Sequence, residues 1–288
     1  SGAVLYRIPL AIHVFHYNGI GNISKAQILD GINILNRDFN KRNADTISVR
    51  NIFKPYIADF QIEFELATID PNGNPTEGIV RVNSHLTYGA DNAVKGVSRW
   101  NPHSYMNVWI VNSIDIGGQG TTLGYAQMPF TGANNFGLVV RADEWGSIEV
   151  AQNADGRTVT HEIGHCLTLE HTFDGGCGSV CHATGDFVCD TPPQFDDNNN
   201  SCTFSLNTCS NDASGGVSSR PNPYTSNVPD QLENYMGYGL NCLAMFSEGQ
   251  KSRVHAAMSS EFILASISSA SNEVQTGINA GHVPGTAE

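Results

Sequence analysis

Hydrophobic and polar residues follow two different periods along the first part of the chain. Alternating or continuous apolar runs predict five strands, and apolar residues spaced three and four apart predict helices. The predicted strands cover residues 8–17, 60–66, 105–111, 124–128 and 136–140. A first long helix is predicted from Ser24 to Phe39 and a second from about Asp155 to Leu167, each with one apolar side. Strands mixed with helices indicate an α+β or α/β sheet domain.

Two helix starts carry a capping box, in which a serine is followed three residues later by a glutamine. The first box is Ser24 with Gln27, and the second is Ser247 with Gln250, which opens a helix in the last part of the chain. Residues 173–244 are irregular in pattern and rich in Gly, Asn, Ser, Asp and Pro. Residues 268–288 are small and polar, and we expect them to form a surface tail.

Composition and charge exclude several classes of protein. The 288 residues are 40% hydrophobic and 15% charged, which suits a folded globular body. With 15 Lys+Arg against 28 Asp+Glu, the net charge of −13 counts against binding to a phosphate backbone. No apolar run approaches the roughly 18–20 residues that a membrane helix needs. We therefore expect a soluble monomer that binds neither nucleic acid nor a membrane.

Cysteine positions indicate an oxidising compartment. An even number of cysteines in a loop-rich stretch is typical of a disulfide-stapled region in a secreted protein. The six candidates are Cys177, Cys181, Cys189, Cys202, Cys209 and Cys242. A cysteine zinc site is the alternative, but only Cys177 and Cys181 have ligand spacing and no second pair follows. Because the chain opens Ser-Gly-Ala, we expect a mature, secreted form that has lost a signal and pro-segment.

One motif carries the predicted chemistry, the run from His161 through Glu162 and His165 to His171. Residues four apart on a helix share one face, so the imidazoles of His161 and His165 can bind one metal ion. Glu162 lies beside that ion without binding it, where it can take a proton from metal-bound water. His171 can return as a third ligand if the chain turns back after the helix. Three nitrogens and one open position are the catalytic zinc arrangement.

The extended pattern resembles the metzincin signature, with Thr168 at the position where the usual form has glycine. Several further stretches resemble the pappalysin (cytophagalysin) branch of the metzincins, and together the resemblance covers residues 8 to 260. These stretches are residues 156–161, 169–173, 185–192, 233–238 and 242–250. The glycine position favours a positive φ, which is costly for a β-branched residue. Thr168 therefore either strains this turn or ends the helix differently.

The resemblance implies an α+β fold of the metzincin type with an active-site cleft between two parts. An upper subdomain over 1–171 would hold a twisted mixed five-stranded sheet and two long helices. A loop-rich lower subdomain over 172–267 would hold the disulfides and a C-terminal helix, and 268–288 would be the surface tail. Extended peptides would bind in the cleft along the strand 124–128.

Roles for individual residues in the lower part also follow from the resemblance. Met236 would form the methionine turn beneath the zinc ligands, and Tyr238 would help to hold an oxyanion, although a packing tyrosine is the alternative. Two crossed bridges staple this part in the family. By position, Cys202 would pair with Cys242, Cys209 with Cys181 or Cys177, and Cys189 with the remaining cysteine of that early pair. Cys166 would stay unpaired.

Calcium is the second cofactor that the resemblance implies. Asp186, Asp190 and the carbonyl of Thr191 lie in the loop where pappalysins hold calcium. A hard cation favours carboxylate and carbonyl oxygens on an irregular loop. The alternative is an acidic, solvated turn that binds nothing.

The hypothesis is a secreted zinc endopeptidase that hydrolyses peptide bonds of proteins through a zinc-activated water, with Glu162 as general base and acid. A first rival is another metal hydrolase such as a deformylase, which takes its third ligand from an upstream cysteine. Every cysteine here lies at or after Cys166, which counts against that rival. A second rival is a non-catalytic binding module, and the presence of Glu162 and all three histidines counts against it.

Overall fold

A mixed β-sheet dominates the first half of the chain in this computed structural model, which describes residues 4–117, 121–195, 202–239 and 241–278. The strands are β1 (Tyr6–His16), β2 (Ile62–Leu66), β3 (Ile79–Asn83), β4 (Met106–Val111), β5 (Gly124–Gln127) and β6 (Gly137–Arg141). Their order is β2-β1-β4-β6-β5, with β3 also paired to β1. All pairs are parallel except β5 with β6. The predicted α+β fold with a mixed sheet is confirmed.

Strand β3 was not predicted, although the sheet has the predicted width. β2 pairs with residues 6–10 of β1 and β3 pairs with residues 12–16, whereas β4 pairs with residues 10–14. A strand has only two sides, so β2 and β3 share the side of β1 opposite β4. The sheet is therefore five strands wide, with two short strands at one edge. No residue of β3 is fully buried, so its apolar pattern is weak.

Central strands β1 and β4 are buried on both faces, which explains their continuous apolar sequences. All six residues of β4 are buried. Two buried polar residues, Asn107 of β4 and His13 of β1, hydrogen-bond each other at 2.9 Å. Trp109 of β4 packs in a buried cluster with Phe15 and Val139. The sheet therefore has a core on each face rather than one solvated face.

The described residues contain six α-helices besides short 3-10 helices. They are α1 (Lys25–Phe39), α2 (Ala93–Val97), α3 (Arg157–Cys166), α4 (Glu248–Ser260), α5 (Phe262–Ile267) and α6 (Ala270–Thr276). Within that part of the chain, no helix is both long and apolar enough to cross a membrane.

The two predicted capping boxes have different outcomes. Before α4, the N–H of Ser247 donates to Gln250 Oε1 and the N–H of Gln250 donates to Ser247 Oγ, so this box is complete. Before α1, the N–H of Gln27 donates to Ser24 Oγ, but the buried Gln27 amide donates instead to the carbonyls of Ala142 and Trp145. The first box is therefore only half formed, because buried carbonyls compete for the glutamine.

The described chain divides into two compact units. The first unit contains Arg37–Phe60 and Thr168–Ala256, and the second contains residues 4–36, Gln61–Leu167 and 257–278. The second unit holds the sheet. The boundaries predicted for the two subdomains, 1–171 and 172–267, stay a prediction.

The segment predicted to be a surface tail begins as a packed helix. Within residues 268–288, α6 is helical and its Asn272 amide donates to the carbonyl of Ser104 at 2.9 Å. The carbonyl of Thr276 accepts hydrogen bonds from the N–H groups of Thr68 and Ile69. These polar contacts, which a small and polar composition does not reveal, attach residues 270–276 to the sheet-bearing unit. Residues 279–288 lie outside the described part.

Three disulfides cross-link the loop-rich part of the first unit. The pairs are Cys177–Cys209, Cys181–Cys189 and Cys202–Cys242. The predicted disulfide region is confirmed, and of the two partners left open for Cys209 the structure has Cys177. Cys166 of α3 is buried and unpaired, as expected.

A buried ion pair joins the two chain segments of the first unit. Arg50 Nε donates to Glu233 Oε1 at 2.7 Å and its Nη2 donates to Oε2 at 2.7 Å. The backbone N–H of Arg50 donates to the same carboxylate at 3.0 Å, and the Glu233 side chain is 1% exposed. Since a buried charge is costly without its partner, this pair ties residues 37–60 to residues 168–256.

Replacing Glu233 by glutamine tests the importance of this pair. Glu233→Gln keeps the shape but leaves the Arg50 guanidinium without its counter-charge, so the free energy of unfolding should fall by about 3 kcal/mol. Denaturant unfolding with intact disulfides measures the change. Glu77→Gln, which breaks the exposed pair with Lys25, is the control and should cost less than about 1 kcal/mol. Equal effects of the two substitutions would contradict this assignment.

Candidate metal centre and active site

Helix α3 brings two histidines of the motif together. It begins after Gly156, at φ 78°, and the Asp155 carboxylate accepts the N–H of Arg157 at 2.9 Å. The Nε2 atoms of His161 and His165 lie 3.2 Å apart, one turn from each other on the same face. Val159, Ile163 and Cys166 are all buried and fix the opposite face.

The helix ends in a sharp turn at Thr168. Leu167 caps the helix, and Thr168 has φ 75°, in the left-handed region that favours glycine. The turn therefore accommodates the β-branched residue in a strained conformation, the first of the two outcomes that the sequence left open. Arg253 donates from Nε to the carbonyl oxygen of Thr168 at 2.9 Å, which helps to hold this turn.

The third histidine is oriented by three neighbours. Its backbone N–H donates to Asp174 Oδ2 at 2.9 Å, and its Nδ1 lies 3.4 Å from the same oxygen. The ring of Phe173 stacks on the His171 ring at 4.6 Å with an interplanar angle of 9°. Tyr238, predicted near the metal, has its hydroxyl 3.2 Å from His171 Nε2. Sequence reasoning missed Asp174 as a partner, and its spacing three residues after His171 was the only signal.

Ligand atoms of His161, His165 and His171 all lie within 4.8 Å of one another. Zinc–nitrogen bonds of about 2.05 Å in a tetrahedral site place ligand nitrogens about 3.3 Å apart. The 3.2 Å separation of the first two Nε2 atoms fits that distance. Borderline-soft imidazole nitrogens are also the donors that zinc prefers, so the residues fit a zinc ion. Among the described residues, this is the one such group of three or more His, Cys, Asp or Glu.

Glu162 is placed between helix α3 and the edge strand β5. The N–H of Ala126 in β5 donates a hydrogen bond to its carboxylate. A Cβ on Gly124 would lie 3.2 Å from Glu162 Cγ, so a glycine allows this close approach. Burial raises the pKa of Glu162 to about 8, and the hydrogen bond from Ala126 opposes this shift. A raised pKa is what a group that both takes and gives up a proton requires.

Met236 lies in a buried turn beside the segment that carries His171. Its carbonyl oxygen accepts the N–H of Thr172 at 3.2 Å, and its own N–H donates to Asn234 Oδ1 at 2.9 Å. The side-chain amides of Asn234 and Gln250 exchange two hydrogen bonds of 3.0 Å. Since Gln250 also caps α4, a single amide pair connects the methionine turn to the start of that helix.

The candidate calcium ligands are buried rather than solvated. Asp186 Oδ2 accepts the hydroxyl of Thr191 at 2.7 Å, and Oδ1 accepts the N–H of Val188 at 3.0 Å. Asp190 accepts the hydroxyl of Ser247 at 2.7 Å and the N–H of Gly249 at 2.8 Å. Burial raises the pKa of both carboxyls, that of Asp186 to about 8. An acidic turn open to water is therefore not the arrangement found here.

Fold and site together define a metallopeptidase of the metzincin type. A family model described as "Pregnancy-associated plasma protein-A", peptidase family M43, matches residues 89–259, which is more than half of the chain. The chain therefore belongs to this pappalysin family of metallopeptidases.

Relatives with known names agree with this membership. Extracellular metalloprotease 1 of Coccidioides posadasii is 28% identical over 241 residues, which cover 81% of this chain and 69% of the relative. An extracellular metalloprotease of Colletotrichum graminicola is 32% identical over 174 residues, which cover 58% of this chain and only 54% of that relative. Because the relatives are named extracellular and three disulfides need an oxidising compartment, the protein is extracellular.

A solved structure supports the same fold. Mature mirolysin of Tannerella forsythia, in complex with a cleaved peptide, superposes with a TM-score of 0.76 at 30% sequence identity. The superposition covers 96% of this chain and 99% of the mirolysin chain. The similarity therefore extends over both chains rather than over the motif alone.

Restoring glycine at position 168 tests the strained turn. Thr168→Gly removes the Cβ that makes φ 75° costly, so the free energy of unfolding should rise by about 1 kcal/mol. Thr168→Ala keeps a Cβ and is the matched control, which should gain less. Thermal unfolding of the three proteins at equal zinc loading measures the difference. A glycine variant no more stable than the alanine variant would show that the turn is not strained.

Removing the Asp174 carboxylate tests its orientation of His171. Asp174→Ala removes the carboxylate that accepts the His171 backbone N–H and lies 3.4 Å from Nδ1, so zinc affinity should fall about tenfold. Competition with a chromophoric zinc chelator measures this affinity. Asp115→Ala, whose carboxylate accepts the N–H of Gly117 in a loop, is the control and should bind zinc as the parent does. Unchanged affinity in Asp174→Ala would remove this residue from the metal centre.

Proposed function

We propose that this chain is a zinc endopeptidase that hydrolyses peptide bonds within protein substrates, with Glu162 as general base and then general acid. The observation that carries the proposal is the half-buried Glu162 carboxylate, held by the N–H of Ala126 and next in sequence to one histidine of a three-nitrogen cluster. A metal hydrolase without a proton acceptor at this place would lack a route for the proton of its attacking water. We infer a single chain as the active form, and its monomeric state stays a prediction.

Each step that the chain itself performs follows from the residues around the cluster. Zinc held by the three histidines would polarise the scissile carbonyl and increase the acidity of water. Glu162 takes one proton from the attacking water and later delivers it to the nitrogen of the leaving amine. Tyr238, whose hydroxyl lies next to His171, donates a hydrogen bond to the oxygen that becomes negative in the tetrahedral transition state.

The free edge of β5 is the proposed binding place for an extended peptide. The carbonyl of Leu123 accepts the N–H of Arg141, so in this antiparallel pair Tyr125 and Gln127 also face β6. The backbone groups of Gly124 and the carbonyl of Ala126 then point away from β6, towards the open edge, where the N–H of Ala126 already donates to Glu162. Unpaired strand edges bind peptides as an added strand. Mirolysin, which was solved with a cleaved peptide, supports peptides as the ligand class.

Glutamine in place of Glu162 tests the proposed chemistry. Glu162→Gln keeps the size of the side chain but cannot accept the proton, so casein cleavage should fall by at least about a thousandfold while one zinc per chain remains bound. Activity and zinc content are measured on the same samples. Glu170→Gln, a glutamate between His165 and His171 in sequence, is the control and should stay within about twofold of the parent. Cleavage by Glu162→Gln at the parent rate would contradict the assignment.

We also propose that a calcium ion binds at Asp186 and Thr191. Asp186 and Thr191 line a small pocket together with Thr172. The hydroxyl oxygen of Thr172 is buried and has no hydrogen-bond partner among the described residues. A hard cation would balance the negative charge of the buried Asp186 carboxylate, and oxygen ligands suit calcium. Asp190 would then support the loop through Ser247 and Gly249.

Calcium titration tests this second site. In the zinc-loaded parent, millimolar calcium should raise Tm by several degrees, because a ligand that binds only the folded state stabilises it. Asp186→Asn should abolish the rise. Asp70→Asn, in an exposed turn, is the control and should keep it. A parent whose Tm does not respond to calcium, or an Asp186→Asn variant that still responds, would contradict the proposal.

A further inference from the structure

A buried lysine contacts the connection between β5 and β6, defined here as residues 128–136. Lys95 of α2 is 1% exposed, and its ammonium donates to the side-chain oxygen Oε1 of Gln127 at 3.0 Å. It also donates to the backbone carbonyl of Asn135 at 2.7 Å. Gln127 is the last residue of β5, and Asn135 ends the short 3-10 helix before β6. One ammonium group therefore binds both ends of the connection.

Aromatic rings and uncharged oxygen atoms, rather than a carboxylate, surround this ammonium among the described residues. Its Nζ lies 5.2 Å from the ring centroids of both Trp109 and Tyr125, and Tyr125 belongs to β5. Within the described residues Lys95 forms no ion pair with a carboxylate. Burial lowers the pKa of Lys95 to about 8, as expected for a cation taken out of water. The charge is therefore stabilised by two oxygen acceptors and two aromatic rings.

The residue before Gln127 links these contacts of Lys95 to the active site. Ala126 precedes Gln127 and donates its N–H to the Glu162 carboxylate. Among the strands of the described residues, β5 pairs with β6 alone, so β6 and the connection determine where its free edge lies. Without the ammonium, β5 would lose the hydrogen bond at Gln127 and the ring contact at Tyr125, and the connection would lose the hydrogen bond at Asn135. Edge strands with few contacts are where local opening is easiest.

We propose that Lys95 is a positioning residue, which holds the free edge of β5 and the N–H of Ala126 where an extended peptide and Glu162 require them. The inference rests on the proposed function, because it assigns to this lysine the alignment of the peptide-binding strand with the base. In this role Lys95 acts through β5 and needs no contact with substrate or metal. A lysine with a merely structural role would instead support the whole unit and leave turnover at low temperature unchanged.

Methionine at position 95 separates these two roles. Lys95→Met keeps the apolar stem between Trp109 and Tyr125 and removes only the ammonium. For an extended peptide substrate, kcat/KM should fall about tenfold, mainly through a higher KM, with zinc content unchanged. Amide hydrogen exchange in residues 121–128 should become about tenfold faster, and exchange in α1 should stay unchanged. Lys25→Met, which breaks an exposed pair on α1, is the matched control and should match the parent in both measurements.

A double-substitution cycle adds an independent check. Gln127→Met removes the partner of the ammonium in β5, so it should reproduce part of the loss in kcat/KM. In the double variant, kcat/KM should fall by less than the product of the two single fold-losses, because both substitutions remove the same interaction.

Three results would overturn the inference. One is an active parent whose Lys95→Met variant has unchanged kcat/KM and unchanged exchange in β5. Another is faster exchange throughout the unit with a lowered Tm and normal KM, which would indicate a structural role. The third is a cycle in which the losses from Lys95 and Gln127 multiply. A parent chain that binds zinc but cleaves no peptide would instead overturn the proposed function, and with it the role assigned to Lys95.

Discussion

Three imidazole nitrogens have to meet at one point, although a single helical turn can provide only two of them. His161 and His165 share a face of α3, whereas His171 reaches the cluster only because the chain reverses directly after the helix. The reversal requires a left-handed residue, and here that residue is Thr168. Its cost has to be offset nearby, and hydrogen bonds from Arg253 to the turn and from His171 to Asp174 do so. Metal geometry therefore depends on a strained backbone position.

Buried polar contacts support the segments that follow this turn. The methionine turn at Met236 is held by the amide pair of Asn234 and Gln250, which also caps α4. The ion pair of Glu233, the residue directly before Asn234, with Arg50 holds the start of this turn. Such groups are costly to bury unless every partner is present, so they specify one arrangement in a unit that has little regular structure. The three disulfides further restrict the unfolded chain.

Much of the site could be predicted because its chemistry is local in sequence. The spacing of His161, Glu162 and His165 follows from one helical turn, and His171 follows six residues later. The resemblance to pappalysins added Tyr238. Partners distant in sequence had no such signal. Lys95 is 32 residues from Gln127, and Arg50 is 183 residues from Glu233, so no periodicity connects them. Strand β3 escaped for another reason, since an edge strand without buried residues has no strong alternation.

X-ray absorption at the zinc edge tests the central claim most directly, because it reports the ligands of the bound ion without relying on activity. We expect one zinc per chain with only nitrogen and oxygen neighbours, at about 2.0–2.1 Å, and with the multiple-scattering signature of three imidazoles. His171→Ala should reduce that signature to two. A sulfur neighbour at about 2.3 Å, or a parent spectrum with only two imidazoles, would contradict the claim that the turn at Thr168 delivers His171 to the metal.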